Sequence, residues 1–347
     1  MIKSKYDSEV IRFLKENQGL SSKEIFDKIN LPISYATLKR VLSQLSAEKL
    51  IEVNGVGKAT TYSFSKSYQL FYPVDLENYF EKDIDQRNIK DSFDFDLIPE
   101  TLSKVNMFTE TELQKLDKLQ CQFLDNKGKL STFEFIKEME RLAIDLSWKS
   151  SQIEGNTYTL LETELLLKEK LTAKGKTKDD AVMLLNHKEA IDFIVGHNDY
   201  LSPLSVSRIE DIHSILMKEL GIERNIRTGK VGISGTNYTP IDNEFQIKDA
   251  LYEMCKLINK KDSVFEKAFL ALILLSYIQP FVDGNKRTAR IVSNAVLMAY
   301  KHCPLSFRTV DSLEYKKAML VFYEQNNLQP MKQIFIDQYE FAVKTYF

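Results

Sequence analysis

The sequence predicts a mainly α-helical protein with a small α+β unit at its N-terminus. Apolar residues recur at helical spacing through most of residues 105–347. Residues 1–65 instead show three short helical patterns followed by an alternating stretch around Asn54-Gly55, which is typical of a hairpin. Residues 66–104 mix aromatic and acidic residues without a clear period, so we expect a connector there.

The first 65 residues resemble a winged helix-turn-helix domain. Ser21 or Ser22 is expected to cap the second helix, with Glu24 in its first turn. The third helix, predicted over residues 34–48, would be the recognition helix, and residues 50–65 would form the wing.

Charge separates this unit from the rest of the chain. The 347 residues carry a net charge of −2, which argues against nucleic-acid or membrane binding over the whole surface. Residues 1–65 contain ten Lys and Arg against seven Asp and Glu, or +3. Lys39, Arg40 and Lys58 are therefore candidates for contacts with DNA phosphates. A protein-interaction or dimerisation module remains the alternative.

Three further features predict a cytoplasmic protein without a membrane segment. The three cysteines are odd in number, far apart and without metal-ligand spacing, as expected for reduced thiols. The N-terminus lacks the apolar core of a signal peptide. The most apolar run, residues 268–278, is about half the ~20 residues that a membrane span needs.

The larger region is predicted to be helical with one exception. Helices are expected at residues 108–124, 131–151, 159–171, 177–197, 204–219, 246–259, 264–278, 286–301, 311–325 and 329–346. In residues 230–241, Val231 and Ile233 alternate with polar residues before Gly235, which predicts a short hairpin or flap.

The segment "QPFVDGNKRTAR", residues 279–290, has the composition of an anion-binding loop. Pro280 ends the apolar helix, and Gly284 can adopt the positive φ that a sharp turn needs. A new helix then begins near Lys286, and its first amides have no partner within the helix. Arg287 and Arg290 lie on one face of that helix, and Asp283 could hold Mg²⁺ beside phosphates. A helix cap with solvated cations is the alternative.

This segment resembles the signature of the Fic (Fic/DOC, or fido) family, H-P-F-x-[D/E]-G-N-[G/K]-R-x-x-R, at every defined position but the first. The resemblance implies an all-helical domain that transfers AMP from ATP to a Ser, Thr or Tyr hydroxyl of a target protein. It implies that Asp283 holds Mg²⁺ and that Arg290 meets the γ-phosphate. The residues implied to cradle the other phosphates are Gly284, Asn285, Lys286 and Arg287. Doc-type kinases of the superfamily also carry Lys at position 286, so the transferred group stays open.

A second segment, "SSQIEGN" at residues 150–156, fits the inhibitory motif [S/T]-x-x-x-E-[G/N] of one Fic class through Ser150, Glu154 and Gly155. The resemblance implies that Glu154 pairs with Arg290 and blocks productive binding of the γ-phosphate. A carboxylate and a phosphate compete for one guanidinium, so the implication is electrostatically reasonable.

The resemblance also assigns the remaining parts of the chain. A Fic domain is expected over residues 105–300, with the inhibitory motif at 150–155, and a helical extension over 301–347. Fic proteins align the target backbone by strand addition to a hairpin, here Val231, Gly232, Ile233 and Thr239.

Gln279 departs from the family pattern. The family has a His there, which takes the proton of the target hydroxyl, and an amide is not a base near neutral pH. Loss of a general base costs about 10²–10⁴-fold in rate, so we expect nucleotide binding with weak or absent transfer. His213 is predicted to lie on a helix face, and the other three histidines at the surface, so none is expected to replace the base.

Two other functions remain open. The chain could be a nucleotide-sensing, DNA-binding transcriptional regulator, or a catalytically inactive interaction module. A homodimer is also compatible with the sequence.

Overall fold

The computed structural model describes residues 5–47 and 50–347, with the side chain of Lys5 excepted. Glu48, the last residue of the predicted recognition helix, lies outside the described residues. The chain divides into two compact units, residues 1–73 and 74–347. The first unit therefore includes the start of the region that the sequence predicts to be a connector.

The described part of the first unit contains four α-helices and a two-stranded antiparallel sheet. Its elements are α1 (Lys5–Glu16), α2 (Ser22–Lys28), α3 (Tyr35–Ala47), β1 (Ile51–Asn54), β2 (Thr61–Phe64) and α4 (Lys66–Phe71). Ser21 and Glu24 form the capping box at the start of α2, as the sequence indicates. Leu38, Leu42 and Leu45 of α3 are fully buried, because their helical spacing turns one face toward α1, α2 and β1.

The regular structure of the second unit consists mainly of α-helices, which confirms the predicted mainly α class. These are α5 (Leu76–Phe80), α6 (Glu110–Lys127), α7 (Thr132–Ile153), α8 (Leu160–Glu169), α9 (Lys178–Gly196), α10 (Val206–Leu216), α11 (Glu244–Lys260), α12 (Val264–Ile278), α13 (Asn285–Ala299), α14 (Ser312–Gln325) and α15 (Gln329–Tyr346). Capping boxes start α6, α7 and α8, each with Ser or Thr at the cap and Glu three residues later.

Two consecutive helices occupy the centre of this unit. Every residue of α12 from Phe265 to Ile278 is buried, which explains why its apolar residues surround the helix instead of following one stripe. Helix α13 packs against α12 and also contacts α7, α9 and α10. The polar connection between α12 and α13 is thereby held in place by the best-packed part of the unit.

The predicted hairpin at residues 230–241 is wrong. The segment is an extended loop, and its one β-type contact in the described chain is an isolated parallel bridge between Thr239 and Ser92. The backbone N–H of Thr239 donates to the carbonyl oxygen of Asp91, and Arg87 donates to the carbonyl oxygen of Gly235. The loop's second half thus bonds to residues 85–92 rather than to its own first half, which prevents a local ladder.

Within the described residues, no helix is long and apolar enough to cross a membrane. All three cysteines are free thiols, with Cys121 exposed and the other two buried.

Candidate active site

The site begins with the sharp reversal between α12 and α13. Gln279 ends α12 in the left-handed conformation, with φ of 51°, and Gly284 precedes α13 with φ of 78°. The left-handed backbone favours glycine here, and a Cβ atom on residue 284 would lie 2.5 Å from Cε of Met217, so the Met217 side chain would have to shift. The reversal turns the N-terminus of α13 toward the cavity described below.

The side chain of Asn285 holds this reversal together. Its Oδ1 accepts from the backbone N–H of Phe281 at 2.9 Å, and its Nδ2 donates to the carbonyl oxygen of Phe281 at 2.8 Å. The same Nδ2 also donates to Oε1 of Gln279 at 3.0 Å. Because the amide is occupied within the loop, Asn285 offers a ligand its backbone N–H rather than its side chain.

Arg287 is a buried cation with unused donors. Its Nη2 donates to Oδ2 of Asp283 at 3.1 Å, while Nε and Nη1 are buried without a partner among the described residues. Burial lowers the pKa of Arg287, and the carboxylates of Asp283 and Glu154 oppose that shift. Such a group readily accepts an anion, because donors left buried and unpaired cost free energy.

Arg290 is fully buried and joins α13 to the end of α7. Its Nε donates to Oγ of Ser150 at 2.8 Å, and its Nη2 donates to the carbonyl oxygen of the same residue at 2.9 Å. Nη2 also donates to Oε1 of Glu154 at 2.8 Å. The structure therefore brings together the two segments that the sequence singles out, across 136 residues of chain.

Glu154 lies at the C-terminal end of α7, where Gly155 turns the chain with φ of 101°. Its second oxygen, Oε2, accepts from Nζ of Lys286 at 3.4 Å. Burial raises the pKa of Glu154, but the charges of Arg290 and then Lys286 outweigh burial and leave the pKa below its usual value. Glu154 is thus a carboxylate anion at neutral pH, placed between two cations.

Glu154, Asp283, Asn285 and Lys286 line a cavity of about 420 Å³, a size typical of small-molecule sites. Arg287 and Arg290 are buried behind its wall and do not line it. One wall is the α12–α13 reversal, including Gln279, Asp283 and Lys286. The other walls contain Glu154, residues 231–234 of the extended loop, and side chains of α14: Leu313, Lys316, Met319, Leu320 and Tyr323.

Gln279 is 8% exposed and its amide is satisfied by its neighbours. Nε2 donates to the carbonyl oxygen of Ser276 at 2.6 Å and meets the hydroxyl of Tyr323 at 3.5 Å. No histidine lines the cavity in the described chain. His213 is fully buried behind the reversal, where its ring stacks on that of Phe281 with the two ring centroids 3.6 Å apart.

The surface position expected for His187 is wrong. This residue is fully buried on α9, and neither ring nitrogen has a partner among the described residues. Burial, and then the charges of Arg290 and Arg287, hold the pKa of His187 well below its usual value, so the ring is neutral. The apolar residues four positions before and after His187 on α9 could have indicated that its side chain is buried.

The carboxylate of Asp283 fits a Mg²⁺ ion whose other ligands are mainly nucleotide phosphates and water. No group of three or more His, Cys, Asp or Glu side chains among the described residues could hold a metal alone. Asp283 lines the cavity with its side chain 57% exposed. One accessible carboxylate beside unpaired guanidinium donors matches the way Mg²⁺ binds with substrate phosphates and water.

The other predicted site residues divide into two groups. Val231, Gly232 and Ile233 line the cavity, whereas Thr239 pairs with the 85–92 segment and does not. Lys39, Arg40 and Lys58 belong to the first unit, where all three are exposed.

Several residues near the site were missed from the sequence, including the α14 side chains of the cavity wall and Arg227. Tyr323 of α14 lines the cavity, and Arg227 donates to the carbonyl oxygen of Gln279 at 2.7 Å. The aromatic helix "YKKAMLVFYEQNN" is typical of core packing, and a lone arginine in a polar loop carries no periodic signal.

Comparison with known proteins decides the family of this site. The model of the Fic/DOC family matches residues 203–297, which include the whole α12–α13 reversal. The chain contains a Fic/DOC family domain. The match does not reach residues 150–155, so the inhibitory segment lies outside it.

Two curated relatives carry the same name. The chain is 30% identical to "Protein adenylyltransferase Fic" of Nematostella vectensis over 222 residues, which is 62% of this chain and 51% of that protein. It is 26% identical to the protein of the same name from Aedes aegypti, over 67% of this chain and 49% of the relative. The chain thus spans about half the length of these curated relatives.

Solved structures support the same fold. Fic-1 from C. elegans superposes with a TM-score of 0.60 at 20% identity, covering 68% of this chain and 72% of that one. A Fic domain containing signaling protein from Bacteroides thetaiotaomicron gives a TM-score of 0.56 at 18% identity, covering 67% and 96% of the two chains.

Proposed function

We propose that this protein is a scaffold for AMP transfer from ATP to a Ser, Thr or Tyr hydroxyl of a target protein. It is held inactive by Glu154 and impaired at Gln279. The observation that carries the proposal is the buried contact of Arg290 with Glu154 and Ser150 beside a nucleotide-sized cavity. The name shared by the curated relatives supports the choice of AMP transfer over other reactions.

Phosphate binding is assigned to the N-terminus of α13. The backbone N–H groups of its first turn, with Lys286 and Arg287, would contact the phosphates nearest the transferred group. Nε and Nη1 of Arg287 are buried and have no partner among the described residues, so they would gain partners if the side chain moves toward an anion in the cavity. Mg²⁺ bound at Asp283 would neutralise part of the phosphate charge.

Glu154 acts as an internal competitor for the terminal phosphate. Arg290 is 0% exposed and already donates three hydrogen bonds to residues 150 and 154. A γ-phosphate that binds Nη2 of that guanidinium must displace the carboxylate, since both use the same donor. The nucleotide is then expected to bind weakly or in an unproductive position.

Gln279 removes the proton acceptor from the reaction. In AMP transfer the target oxygen bonds to the α-phosphorus, the bond from that phosphorus to the bridging oxygen breaks, and pyrophosphate leaves. The hydroxyl proton must pass to a base. The amide of Gln279 accepts no proton near neutral pH, and its oxygen is occupied by Asn285. Positioning and charge stabilisation survive, because they depend on other residues.

The double variant Gln279→His/Glu154→Gly tests the proposal. Incubated with Mg²⁺ and ATP labelled at the α-phosphate, it should attach labelled AMP to itself or to an added target. ATP labelled at the γ-phosphate distinguishes phosphate transfer, the alternative that Lys286 leaves open. Adding Arg287→Ala should abolish labelling. A folded double variant that stays unlabelled with both nucleotides would contradict the proposal.

A second candidate is a nucleotide-sensing regulator that binds DNA through its N-terminal unit. The observation that favours it is the exposure of Lys39 and Arg40 on α3 and of Lys58 in the turn between β1 and β2. In a winged helix these are the recognition helix and the wing, the two elements that reach DNA.

A further inference from the structure

Arg227 is a buried arginine that contacts the active-site reversal from outside the cavity. It is 1% exposed, and it lies in the segment that leads into the 230–241 loop. Its backbone N–H donates to the carbonyl oxygen of Pro280 at 3.0 Å. The segment is therefore fixed to the backbone immediately after Gln279.

The guanidinium of Arg227 joins three separate stretches of backbone. Nε donates to the carbonyl oxygen of Gln279 at 2.7 Å, and Nη1 donates to that of Gly229 at 2.6 Å. Nη2 donates to the carbonyl oxygen of Ile241. Gly229 precedes the extended loop and Ile241 is its last residue. One planar group therefore fixes both ends of the loop to Gln279, the first residue of the active-site motif.

No ion pair accounts for this burial. Among the described residues, no carboxylate lies within salt-bridge distance of Arg227. Burial lowers the pKa of Arg227, and the charge of Asp242 only partly opposes the shift. A buried cation with carbonyl partners alone is a costly way to stabilise a fold. The rigid fork of five donors is, however, suited to fixing three carbonyls at set angles.

The part of the loop that Arg227 anchors lacks other backbone support. In the described structure, residues 230–234 make no backbone–backbone hydrogen bond, and residues 231–234 line the cavity. Lys230 and Asp242 also pair across the base of the loop at 3.3 Å, but their side chains are 80% and 48% exposed. Such a pair contributes little to fixing the geometry.

We propose that Arg227 is a positioning residue for transfer, which sets the distance and angle between the 230–241 loop and position 279. A target backbone that adds to the unpaired amides and carbonyls of residues 230–234 would then present its hydroxyl to the reacting phosphate. This inference rests on the proposed function. It separates two roles: the α13 N-terminus binds nucleotide, and Arg227 aligns the target.

The test uses the full chain with Gln279→His/Glu154→Gly as the parent. Arg227→Ala in this parent should lower the rate of AMP transfer about tenfold or more, as expected for misalignment by about an ångström. The rise in Tm caused by Mg-ATP should stay unchanged, and amide hydrogen exchange in residues 229–241 should become faster. Guanidinium ion at millimolar concentration should restore part of the transfer.

Two further variants make the result specific. Asp242→Asn breaks the exposed pair at the same loop base without altering residues 230–234, and it should change neither transfer nor exchange. Arg227→Lys keeps the charge but not the fork, so it should give intermediate exchange and transfer, and it serves as the test if Arg227→Ala does not fold.

Unchanged exchange in both Arg227 variants would overturn the inference, as would loss of the Mg-ATP effect in parallel with transfer. An Arg227→Lys variant that matches the parent in every measurement would overturn it too. If the parent itself neither transfers AMP nor responds to Mg-ATP, the proposed function fails, while hydrogen exchange still decides the role of Arg227.

Discussion

The contact between Glu154 and Arg290 carries most of the functional argument at the scale of single residues. A buried guanidinium needs an anionic or strongly polar partner, and here α7 supplies one from within the chain. The alternative partner in a phosphate site is the phosphate itself. Nη2, which binds Glu154 in the resting protein, is therefore a donor for which a nucleotide phosphate would compete.

The pH dependence of stability tests whether Glu154 is held as an anion. Burial raises its pKa, but Arg290 and Lys286 outweigh burial, so the folded-state pKa lies below the usual value of 4.5. A depressed pKa stabilises the fold above the unfolded-state value, and that contribution is lost as pH falls through the folded-state value. The wild type should exceed Glu154→Gln in free energy of unfolding by a constant amount from pH 6 to 8.

Denaturant titrations across pH measure this difference. The gap between the two proteins should begin to close only below about pH 4.5. A gap that closes between pH 5 and 7 would mean that the carboxyl has a raised pKa and is not held by the two cations. Glu169→Gln, at an exposed position at the end of α8, is the control for removing a negative charge.

Individual residues of the site were predictable where their chemistry is independent of tertiary contacts. The charge of Arg290 and the positive φ of Gly284 follow from the motif itself. The role of Asn285 does not, because its amide is taken by Phe281 and Gln279 only once the reversal forms. Arg227 was missed for the same reason, since its partners include Gln279, 52 residues away, and the residue after it.

At the scale of elements, the α12–α13 reversal determines what the site can bind. It aims the start of one buried helix at the cavity, so small changes in the reversal alter the positions of Asp283, Lys286 and Arg287 together. Glycine at position 284 is favoured by its φ of 78°, and any side chain there would also require Met217 to shift.

Gly284→Ala should destabilise the protein more than an equivalent change elsewhere. Left-handed backbone at a non-glycine residue costs about 1–2 kcal/mol, and crowding against Met217 should add about 1–3 kcal/mol. Gly175 has nearly the same φ, 80°, but nothing within 4 Å of its would-be Cβ atom. Urea unfolding of Gly284→Ala and Gly175→Ala therefore separates the two effects, and equal losses would show that Met217 moves aside freely.

Elements with a strong helical period were predictable to within a few residues. Helix α12 is predicted and observed over residues 264–278, and α15 over 329–346, because apolar pattern and flanking polar residues agree. The alternation of apolar and polar residues in 230–241 predicted a hairpin, and that prediction was wrong. Val231 and Ile233 face the cavity rather than a partner strand, and hydrogen bonds to the 85–92 segment replace those of a hairpin.

At the scale of the whole molecule, the two units have separate tasks in the proposed function. Every residue assigned to nucleotide or target binding lies within residues 74–347. A truncated protein that begins at Val74 should therefore fold and bind Mg-ATP with the affinity of the full chain. A truncated protein that folds but binds at least tenfold more weakly would show that residues 1–73 contribute to the site.

The N-terminal unit has its own test. If it binds DNA, replacing Lys39, Arg40 and Lys58 by Ala should weaken duplex binding and lower the slope of log affinity against log salt by about 2–3. A matched control neutralises three exposed lysines of α11: Lys248, Lys256 and Lys260. An unchanged slope in the first triple variant, or an equal effect in the control, would favour the protein-interaction alternative.

Calorimetric titration with Mg-ATP tests the central claim most directly, namely that Glu154 occupies a phosphate site formed by Arg290. We expect weak binding to the wild type and binding at least about tenfold tighter to Glu154→Gly, a gain of about 1.4 kcal/mol. The double variant Glu154→Gly/Arg290→Gln should lose that gain. Equal affinity of the wild type and Glu154→Gly, or undiminished binding by the double variant, would contradict the account.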